Sequence, residues 1–314
     1  MTDDEALILA AQAGAAWGAT GTPLLIRNRE NAVFGVMTPL GRGALRLHRT
    51  GYQSAESIQS ELWWCEALAR AGAPVPQALR TRDGDLLHRC PDGRIASVIG
   101  WIDGGIMGEG GVPLPGSRAE QADLHHRLGA ILAQIHRKTD DLDLPGNFFR
   151  PWWDVDALLG DRPLWGQFWS HPQLRGDETR RMAGVRDLCR ERLRDYAAGS
   201  PDFGLIHADV LRENVILGNG MTLIDFDDSG FGFRIYDLGT VLSQNLYEPH
   251  FDAIRDGLIG GYGGLRAADL AMLPVFTLLR CLASVGWTID RLPPGDPRHR
   301  IYIERALLAA CHAL

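Results

Sequence analysis

The chain has 314 residues, more than one small hydrophobic core usually holds and about right for two lobes of unequal size. Apolar residues make up 45% of it and charged residues 23%, as in ordinary soluble globular proteins. The formal net charge of -7 argues against a nucleic-acid binder held by phosphate contacts, and we expect no nucleic-acid partner.

The cysteines and the apolar stretches predict a cytoplasmic protein. Five cysteines are scattered without a C-x-x-C pair, which is typical of free thiols in a reducing compartment. The apolar stretch at residues 6–26 follows three acidic residues instead of a basic segment, so we predict an N-terminal helix and not a signal peptide. Arg280 interrupts the apolar run at residues 270–287 too early for a membrane span, and we expect no membrane partner.

The part of the chain that follows this helix predicts a small antiparallel sheet. Short apolar-rich runs are separated by turn-forming segments, which is typical of strands joined by short turns. Apolar residues recur on one helical face over residues 54–70, where we predict a helix. The predicted strands are residues 24–26, 32–34, 44–47, 85–87 and 95–99.

Beyond a glycine-rich stretch at residues 100–116, interpreted as a linker between lobes, the pattern becomes helical. One β-like segment, residues 205–227, interrupts the helices. Strands first and helices later predict an α+β protein with an N-lobe at residues 1–100 and a C-lobe at residues 101–314. The predicted helices are residues 124–138, 175–198, 251–262, 267–290 and 300–314.

The β-like segment carries the most informative side chains. Two strand-like triplets flank Gly218-Asn219-Gly220, a strong hairpin signal. Folding the hairpin about this turn puts Asn214 and Asp225 near register at its open end, where paired Cα atoms lie ~5 Å apart. An amide oxygen and a carboxylate aimed at one point suit a hard divalent cation such as Mg²⁺.

Asp209 lies on the loop that enters this hairpin, where a carboxylate is placed to accept a proton from an attacking hydroxyl. His207 is placed to bond the loop backbone and hold it rigid. A lone H-x-D is also typical of a capped turn. The full spacing H-x-D-x-x-x-x-N, with an Asp after a short hairpin, instead favours phosphoryl transfer.

The sequence H-A-D-V-L-R-E-N at residues 207–214 resembles the catalytic loop of the aminoglycoside phosphotransferase and choline-kinase-like superfamily. I-D-F-D at residues 224–227 resembles its metal-binding segment. The resemblance implies ATP and Mg²⁺ as cofactors, Asp209 as catalytic base, and Asn214 and Asp225 as metal ligands. It also implies that His207 and Asp237 support the catalytic loop. The implied fold is bilobal and protein-kinase-like, with a small antiparallel β N-lobe, one key helix and a larger, mainly helical C-lobe.

The resemblance extends to the ATP-binding residues of the N-lobe. Arg46 stands where the family has a lysine on the phosphates, and Glu61 matches the helix glutamate that pairs with that lysine. Lys138, the single lysine among 32 basic residues, cannot replace it from a C-lobe helix. The further ATP-binding residues implied are Asn31, in a nucleotide-covering turn at residues 29–34, and Trp101 and Ile102 at the adenine-binding hinge.

Residues 150–169 contain four tryptophans, which we interpret mainly as packing for a helical insertion. Tryptophans beside acids could instead receive a cationic or amino-alcohol substrate, with Asp154, Asp156 and Asp227 as the candidate acids. Three histidines are predicted to be satisfied helix-surface residues and not metal ligands, because adjacent histidines point in different directions. They are His125, His126 and His136.

The acceptor of the phosphoryl group stays open at this point. The tryptophan-rich segment and residues 284–290 are most similar to the homoserine-kinase-type and stress-response-kinase branch. That resemblance leaves a small amino-alcohol or amino-acid-like hydroxyl, or a Ser/Thr on a protein. A nucleotide-binding pseudokinase is a third interpretation, motivated by Arg46.

Overall fold

The computed structural model describes residues 1–28 and 31–314, which form two compact units. The first unit contains Met1–Gly105, Asp141–Arg150 and Ile216–Asp227. The second contains Ile106–Asp140, Pro151–Val215 and Asp228–Leu314. Neither unit is one continuous stretch, because the chain returns to the first unit twice after leaving it. The fold is of the α+β class.

In the described part of the chain, the strands lie in three sheets. The first has the order β1-β2-β3-β6-β4, with β5 also paired to β6; the second has the order β11-β10-β7 and the third β8-β12-β9. They are β1 (Thr20–Asn28), β2 (Ala32–Thr38), β3 (Gly41–Leu47), β4 (Ala78–Leu79), β5 (Leu87–Arg89), β6 (Ile95–Gly100), β7 (Gly105–Ile106), β8 (Trp152–Trp153), β9 (Phe203–Ile206), β10 (Val215–Gly218), β11 (Gly220–Leu223) and β12 (Gly230–Phe233).

The helices carry most of the second unit, where α3 packs on α7, and α8 packs on both α6 and α9. By length and composition α8 could cross a membrane, but 61% of its most apolar window is buried, as in a core helix. The helices are α1 (Asp3–Gly14), α2 (Ala55–Arg70), α3 (Arg118–Asp140), α4 (Val155–Leu159), α5 (Glu178–Ala198), α6 (Ile235–Asn245), α7 (Phe251–Tyr262), α8 (Ala267–Arg291) and α9 (Arg298–Ala313).

Strand β3 places a charged side chain on one face and hydrophobic core residues on the other. Leu45 and Leu47 are buried in a cluster that includes the alanine-rich face of α1. Since side chains alternate along a strand, Arg46 points to the opposite face. Helix α2 begins after Ser54, whose side chain accepts the Ser57 N–H at 3.2 Å.

The predicted strands and helices are confirmed in most cases, and α7 has the bounds that its sequence period predicts. The predicted hairpin is confirmed as β10 and β11. The strand predicted at residues 85–87 lies two residues later, at β5. The five cysteines are free thiols, as predicted.

The predicted N-terminal helix is confirmed as α1, after which the chain turns at Gly18 (φ 67°) and β1 follows. Two expectations are wrong. Two of the histidines predicted at a helix surface are buried, because α3 packs against α7; they are His125 and His136. Residues 150–169 form a two-residue strand and short helical turns, not a helical insertion, with Trp153 and Trp165 buried edge to face.

Candidate active site

The first unit gathers three carboxylates around Arg46. Its Nη2 lies 2.6 Å from Asp225 Oδ1, and its Nη1 lies 3.7 Å from Glu61 Oε1 and 3.8 Å from Asp227 Oδ1. Burial alone would lower the pKa of Arg46, but Asp225, Asp227 and Glu61 raise it above the ordinary value. The guanidinium therefore stays charged, and the predicted pairing of Arg46 with Glu61 is present in the fold.

Among the described residues, this cluster contains more carboxylates than guanidiniums. Burial, reinforced by Asp227, raises the pKa of Glu61 to about 7 although Arg46 and Arg150 oppose the shift. Burial also raises the pKa of Asp227, with Asp225 adding to the effect. Among the described residues, Glu61 Oε2 and Asp227 Oδ1 have no hydrogen-bond partner. Three carboxylates sharing two guanidiniums are an environment that a further cation would stabilise.

Asp225 is the carboxylate of this cluster that faces solvent. Its side chain is 41% exposed, against 15% for Asp227 and 6% for Glu61. It follows β11 by two residues and has a φ of 67°, a left-handed conformation that is rare outside glycine. Strained backbone of this kind is concentrated at functional sites, where the surrounding structure holds a side chain in one direction.

The donor set fits a hard divalent cation. Carboxylate oxygens are the kind of ligand that Mg²⁺ prefers, and the excess of carboxylates around Arg46 favours a cation near Asp225. In the described part of the chain, no three His, Cys, Asp or Glu side chains are grouped as metal ligands. A metal at Asp225 would take the rest of its coordination from other ligands such as phosphate oxygens and water.

Arg150 fixes the backbone beside this cluster and was missed by sequence reasoning. It is buried, and its Nη2 donates to the carbonyls of Phe226 at 3.3 Å and Asp227 at 2.6 Å. Its Nη1 donates to the Ser57 carbonyl and hydroxyl and lies 4.0 Å from Glu61. The one signal was its place directly before the unusual Pro-Trp-Trp sequence.

The remaining predicted ATP-binding residues of the first unit lie near its sheet. Asn31 donates to Asp227 Oδ2 at 3.2 Å and accepts the Arg49 N–H at 2.8 Å. Arg29 and Glu30 of the predicted nucleotide-covering turn lie outside the described residues. At the predicted hinge, Trp101 N–H donates to the Arg42 carbonyl at 3.0 Å, and the Arg42 guanidinium lies 3.6 Å from the Trp101 ring centroid. Ile102 follows it, partly exposed.

The second unit holds Asp209 by both carboxylate oxygens. Asn214 Nδ2 donates to Asp209 Oδ2 at 3.0 Å and to its carbonyl at 2.9 Å. Arg280 Nη2 donates to Asp209 Oδ1 at 2.6 Å. With its amide nitrogen used in this way, Asn214 keeps its oxygen for another partner. The contact between Arg280 and Asp209 was not predicted, because in the sequence Arg280 is recognisable only as an interruption of an apolar run.

Asp237 braces the loop that carries Asp209. It is fully buried; its Oδ1 accepts the Ala208 N–H at 2.7 Å and its Oδ2 accepts the His207 N–H at 2.9 Å. His136 Nε2 also lies 3.0 Å from Oδ2. These bonds hold Ala208 at a φ of 65°, and His207 Nδ1 accepts the Asp209 N–H at 3.2 Å. Because His136 was predicted to lie at a helix surface, its contact with Asp237 was not predicted.

Two of the predicted substrate acids have other contacts in the second unit. Asp154 caps α4, its Oδ1 accepting the N–H groups of Asp156 at 3.1 Å and Ala157 at 2.8 Å. The Asp156 side chain is 79% exposed and lies 3.4 Å from Arg190. Exposed ion pairs of this kind are weak, so Asp156 remains accessible to a ligand.

The chain is similar to a family of known proteins over most of its length. The profile of the Phosphotransferase enzyme family matches residues 24–273. The homoserine kinase of Methylorubrum populi is 26% identical over 295 residues, which cover 88% of this chain and 84% of that protein. The amicoumacin kinase of Bacillus subtilis is 24% identical over 230 residues, covering 71% and 63%. The solved structure of a microcompartment-associated aminopropanol kinase has a TM-score of 0.82 and 28% identity, covering 98% and 96%.

Proposed function

The chain belongs to the Phosphotransferase enzyme family, and we propose that it is a cytoplasmic, Mg²⁺-dependent kinase. It transfers the γ-phosphoryl group of ATP to a hydroxyl of a small amino-alcohol or amino-acid-like acceptor. The observation that carries this proposal is the loop of residues 207–214, in which Asp209 is held by both carboxylate oxygens. A fixed carboxylate in this sequence context is suited to orienting a hydroxyl for phosphoryl transfer.

Asp209 is the proposed catalytic base. Its carboxylate accepts the acceptor hydroxyl proton as the acceptor oxygen bonds to the γ-phosphorus and the bond from that phosphorus to the bridging oxygen breaks. ADP leaves with the electron pair of that broken bond. A positioned general base of this kind contributes about 10²- to 10⁴-fold to the rate. His207 and Asp237 keep the loop rigid, so Asp209 need not be reorganised when the acceptor binds.

Asn214, through its amide oxygen, and Asp225 are the residues that we propose hold Mg²⁺. When bound, the metal neutralises charge on the ATP phosphates. Arg46 is the proposed protein cation for those phosphates, because a guanidinium presents a fork of donors that matches phosphate oxygens. Glu61, which lies 3.7 Å from Arg46, is proposed to orient it towards the nucleotide phosphates. Asn31, Trp101 and Ile102 complete the proposed nucleotide site.

The names of the relatives support a small acceptor. Two are kinases of homoserine and of aminopropanol, molecules that carry both a hydroxyl and an amine. A third phosphorylates amicoumacin, as its name states. Asp156, with Asp154 and Asp227 as the further candidates, is the proposed partner of an acceptor ammonium group, since its carboxylate is open to solvent.

A coupled assay of ADP release tests the proposal. Wild-type protein with Mg²⁺ and ATP is screened over 1-amino-2-propanol, L-homoserine, aminoglycosides and a mixed protein substrate. The matched control is Asp209→Asn, which keeps the size of the side chain. We expect one small acceptor to stimulate ADP release, and the variant to lose about 10²- to 10⁴-fold of that stimulated rate.

Three results would contradict the proposal. Equal ADP release by wild type and Asp209→Asn would mean that Asp209 is not the catalytic base. Turnover with the protein substrate alone would identify a protein kinase. Tight Mg²⁺·ATP binding without turnover on any acceptor would identify a pseudokinase.

A further inference from the structure

Arg280 is a buried cation in the middle of a core helix. It lies on α8, its side chain is 6% exposed, and its Nη2 lies 2.6 Å from Asp209 Oδ1. Burial of an arginine is strongly unfavourable unless a well-placed anion and further hydrogen bonds compensate for it. The contact with Asp209 supplies such an anion.

The guanidinium is fixed on two further sides. Its Nη1 donates to the hydroxyl of Ser284, one helical turn further along α8. Its central carbon lies 4.9 Å from the ring centroid of Trp165, which is itself buried. Arg280 Nε has no hydrogen-bond partner among the described residues. One donor of the guanidinium, Nε, is therefore unused, while Nη2 is directed at Asp209.

The electrostatic surroundings of Arg280 agree with this geometry. Burial lowers the pKa of Arg280, but Asp209 and Tyr236 outweigh it, so the pKa lies above its ordinary value. The cation thus persists beside Asp209 across the working pH range.

We propose that Arg280 is a positioning residue that fixes the plane of the Asp209 carboxylate before the acceptor binds. This inference rests on the proposed function. Arg280 holds Oδ1 from α8, while Asn214 holds Oδ2 from the turn just before β10. An aspartate side chain otherwise samples a broad range of its second torsion. Two charge-assisted or amide bonds to opposite oxygens remove that freedom.

The carboxylate keeps capacity for a substrate in this arrangement. An ionised carboxylate offers about four lone-pair sites, of which Arg280 and Asn214 use two. An acceptor hydroxyl meets the remaining sites in one fixed direction. Holding reacting groups in a near-attack geometry is worth more than the contact itself, and a small misplacement costs about a hundredfold in rate.

The test compares variants at Arg280 with a control on the same helix. Arg280→Met removes the charge at similar length, Arg280→Lys keeps the charge without the fork, and Arg291→Met removes a different arginine of α8. With the best acceptor from the screen, we expect Arg280→Met to lower kcat about tenfold to a hundredfold without raising either KM. Arg280→Lys restores part of kcat, and Arg291→Met leaves kcat unchanged.

Substrate binding by Arg280 would give a different pattern. A raised KM for L-homoserine, which carries a carboxylate, with an unchanged kcat and an unchanged KM for 1-amino-2-propanol, would overturn the positioning role. An unchanged kcat in Arg280→Met would overturn it as well. If Arg280→Met does not fold, Arg280→Lys and Ser284→Ala are compared in the same way, and the role predicts a lower kcat for both.

A readout without turnover separates this inference from the proposed function. Crystal structures of the wild type and of Arg280→Lys, both with Mg²⁺ and a non-hydrolysable ATP analogue, give the Asp209 side-chain torsions. We expect them to differ between the two proteins. If no acceptor is turned over, the proposed function fails, while identical Asp209 torsions in the two structures would refute the positioning role by itself.

Discussion

The two acidic regions of the molecule differ in how completely their charges are matched. In the first unit, Glu61, Asp225 and Asp227 share the two guanidiniums of Arg46 and Arg150, and two carboxylate oxygens have no hydrogen bond among the described residues. In the second unit, Asp209 and Asp237 each have hydrogen bonds to both oxygens.

The difference indicates two kinds of task. A cluster with excess negative charge is costly by itself and becomes favourable when a cation arrives, which is the behaviour of a metal-binding region. A carboxylate with both oxygens bonded is already arranged for its chemistry and reorganises little. The account therefore assigns cation binding to the first region and proton transfer to the second.

The largest expected effect comes from removing Asp225, the solvent-facing acid of the first region. We expect Asp225→Asn to lower kcat by about 10³-fold, since electrostatic stabilisation of the transferred group is the main catalytic contribution. The Mg²⁺ concentration for half-maximal rate also rises. A magnesium titration of the initial rate measures both quantities.

Asp227→Asn is the matched control for this prediction. Asp227 is more buried than Asp225, and burial raises its pKa above the ordinary value, so a neutral amide is a smaller perturbation there. We expect a loss at least tenfold smaller than that of Asp225→Asn. Equal losses at the two positions would contradict the assignment of the metal to Asp225.

Elements with a strong local period could be predicted from the sequence, and those built by distant pairing could not. The period of 3.6 residues predicted the bounds of α7, and the Gly-Asn-Gly turn predicted the hairpin of β10 and β11. Strands β8 and β12 have two and four residues and pair with each other across the sequence. Such short segments carry no detectable period, so they were missed.

The candidate site shows the same limit. Asp209, Asn214 and Asp225 stand in one short segment whose spacing carries the resemblance. Arg150 and Arg280 come from distant parts of the chain, and local pattern does not reveal which arginine meets an acid after folding. The convergence of Asn214 and Asp225 on one metal stays a prediction.

The charge shortage of the first region predicts a pH-dependent stability. Glu61 titrates at about 7 in the fold, against 4.5 ordinarily, so at intermediate pH the folded state holds a proton that the unfolded chain has released. Stability therefore falls as pH rises through this window, by up to roughly 3 kcal/mol. Urea unfolding of the metal-free protein at about pH 5 and pH 8 measures this loss.

Glu61→Gln removes this titration, and we expect its stability to be nearly constant across the window. Glu66→Gln on the same helix is the control, because Glu66 is paired with Arg70 at 2.9 Å and Arg80 at 2.6 Å. Breaking those pairs destabilises the protein at both pH values. A wild type that gains stability as pH rises would be inconsistent with a charge shortage.

Substitution of Arg46 tests the contribution of a single cation of the first acidic region to activity. We expect Arg46→Met to lower kcat/KM for ATP about a hundredfold, because a preorganised cation for the phosphates is lost. Arg46→Lys keeps the charge and retains activity within about tenfold. Steady-state kinetics with varied ATP measures both. A lysine variant as inactive as the methionine variant would mean that the fork, and not the charge, is required.

The smallest effect concerns a pair of buried histidines in the second unit. The Gln173 N–H donates to His171 Nδ1 at 3.0 Å, which leaves the proton of the neutral ring on Nε2, 3.0 Å from His299 Nδ1. Burial, with His299 and Arg300 adding to it, lowers the pKa of His171 to about 4. The neutral ring is therefore favoured by folding, and stability is lost as pH falls from 6.5 towards 4.

We expect His171→Gln to reduce this acid-side loss by about 1 kcal/mol, measured by urea unfolding at pH 5 relative to pH 7. His312→Gln, at an exposed position, serves as the control and leaves the pH dependence unchanged. Identical pH dependence in wild type and His171→Gln would exclude the histidine pair as its source.

The most direct test of the account is phosphorus NMR of the reaction itself. Wild-type protein and Asp209→Asn are each incubated with ATP, Mg²⁺ and either 1-amino-2-propanol or L-homoserine. The account predicts a phosphomonoester of the acceptor and an equal amount of ADP from the wild type, and neither from the variant over the same time. A phosphomonoester formed equally fast by Asp209→Asn, or ADP with inorganic phosphate alone from both proteins, would contradict it.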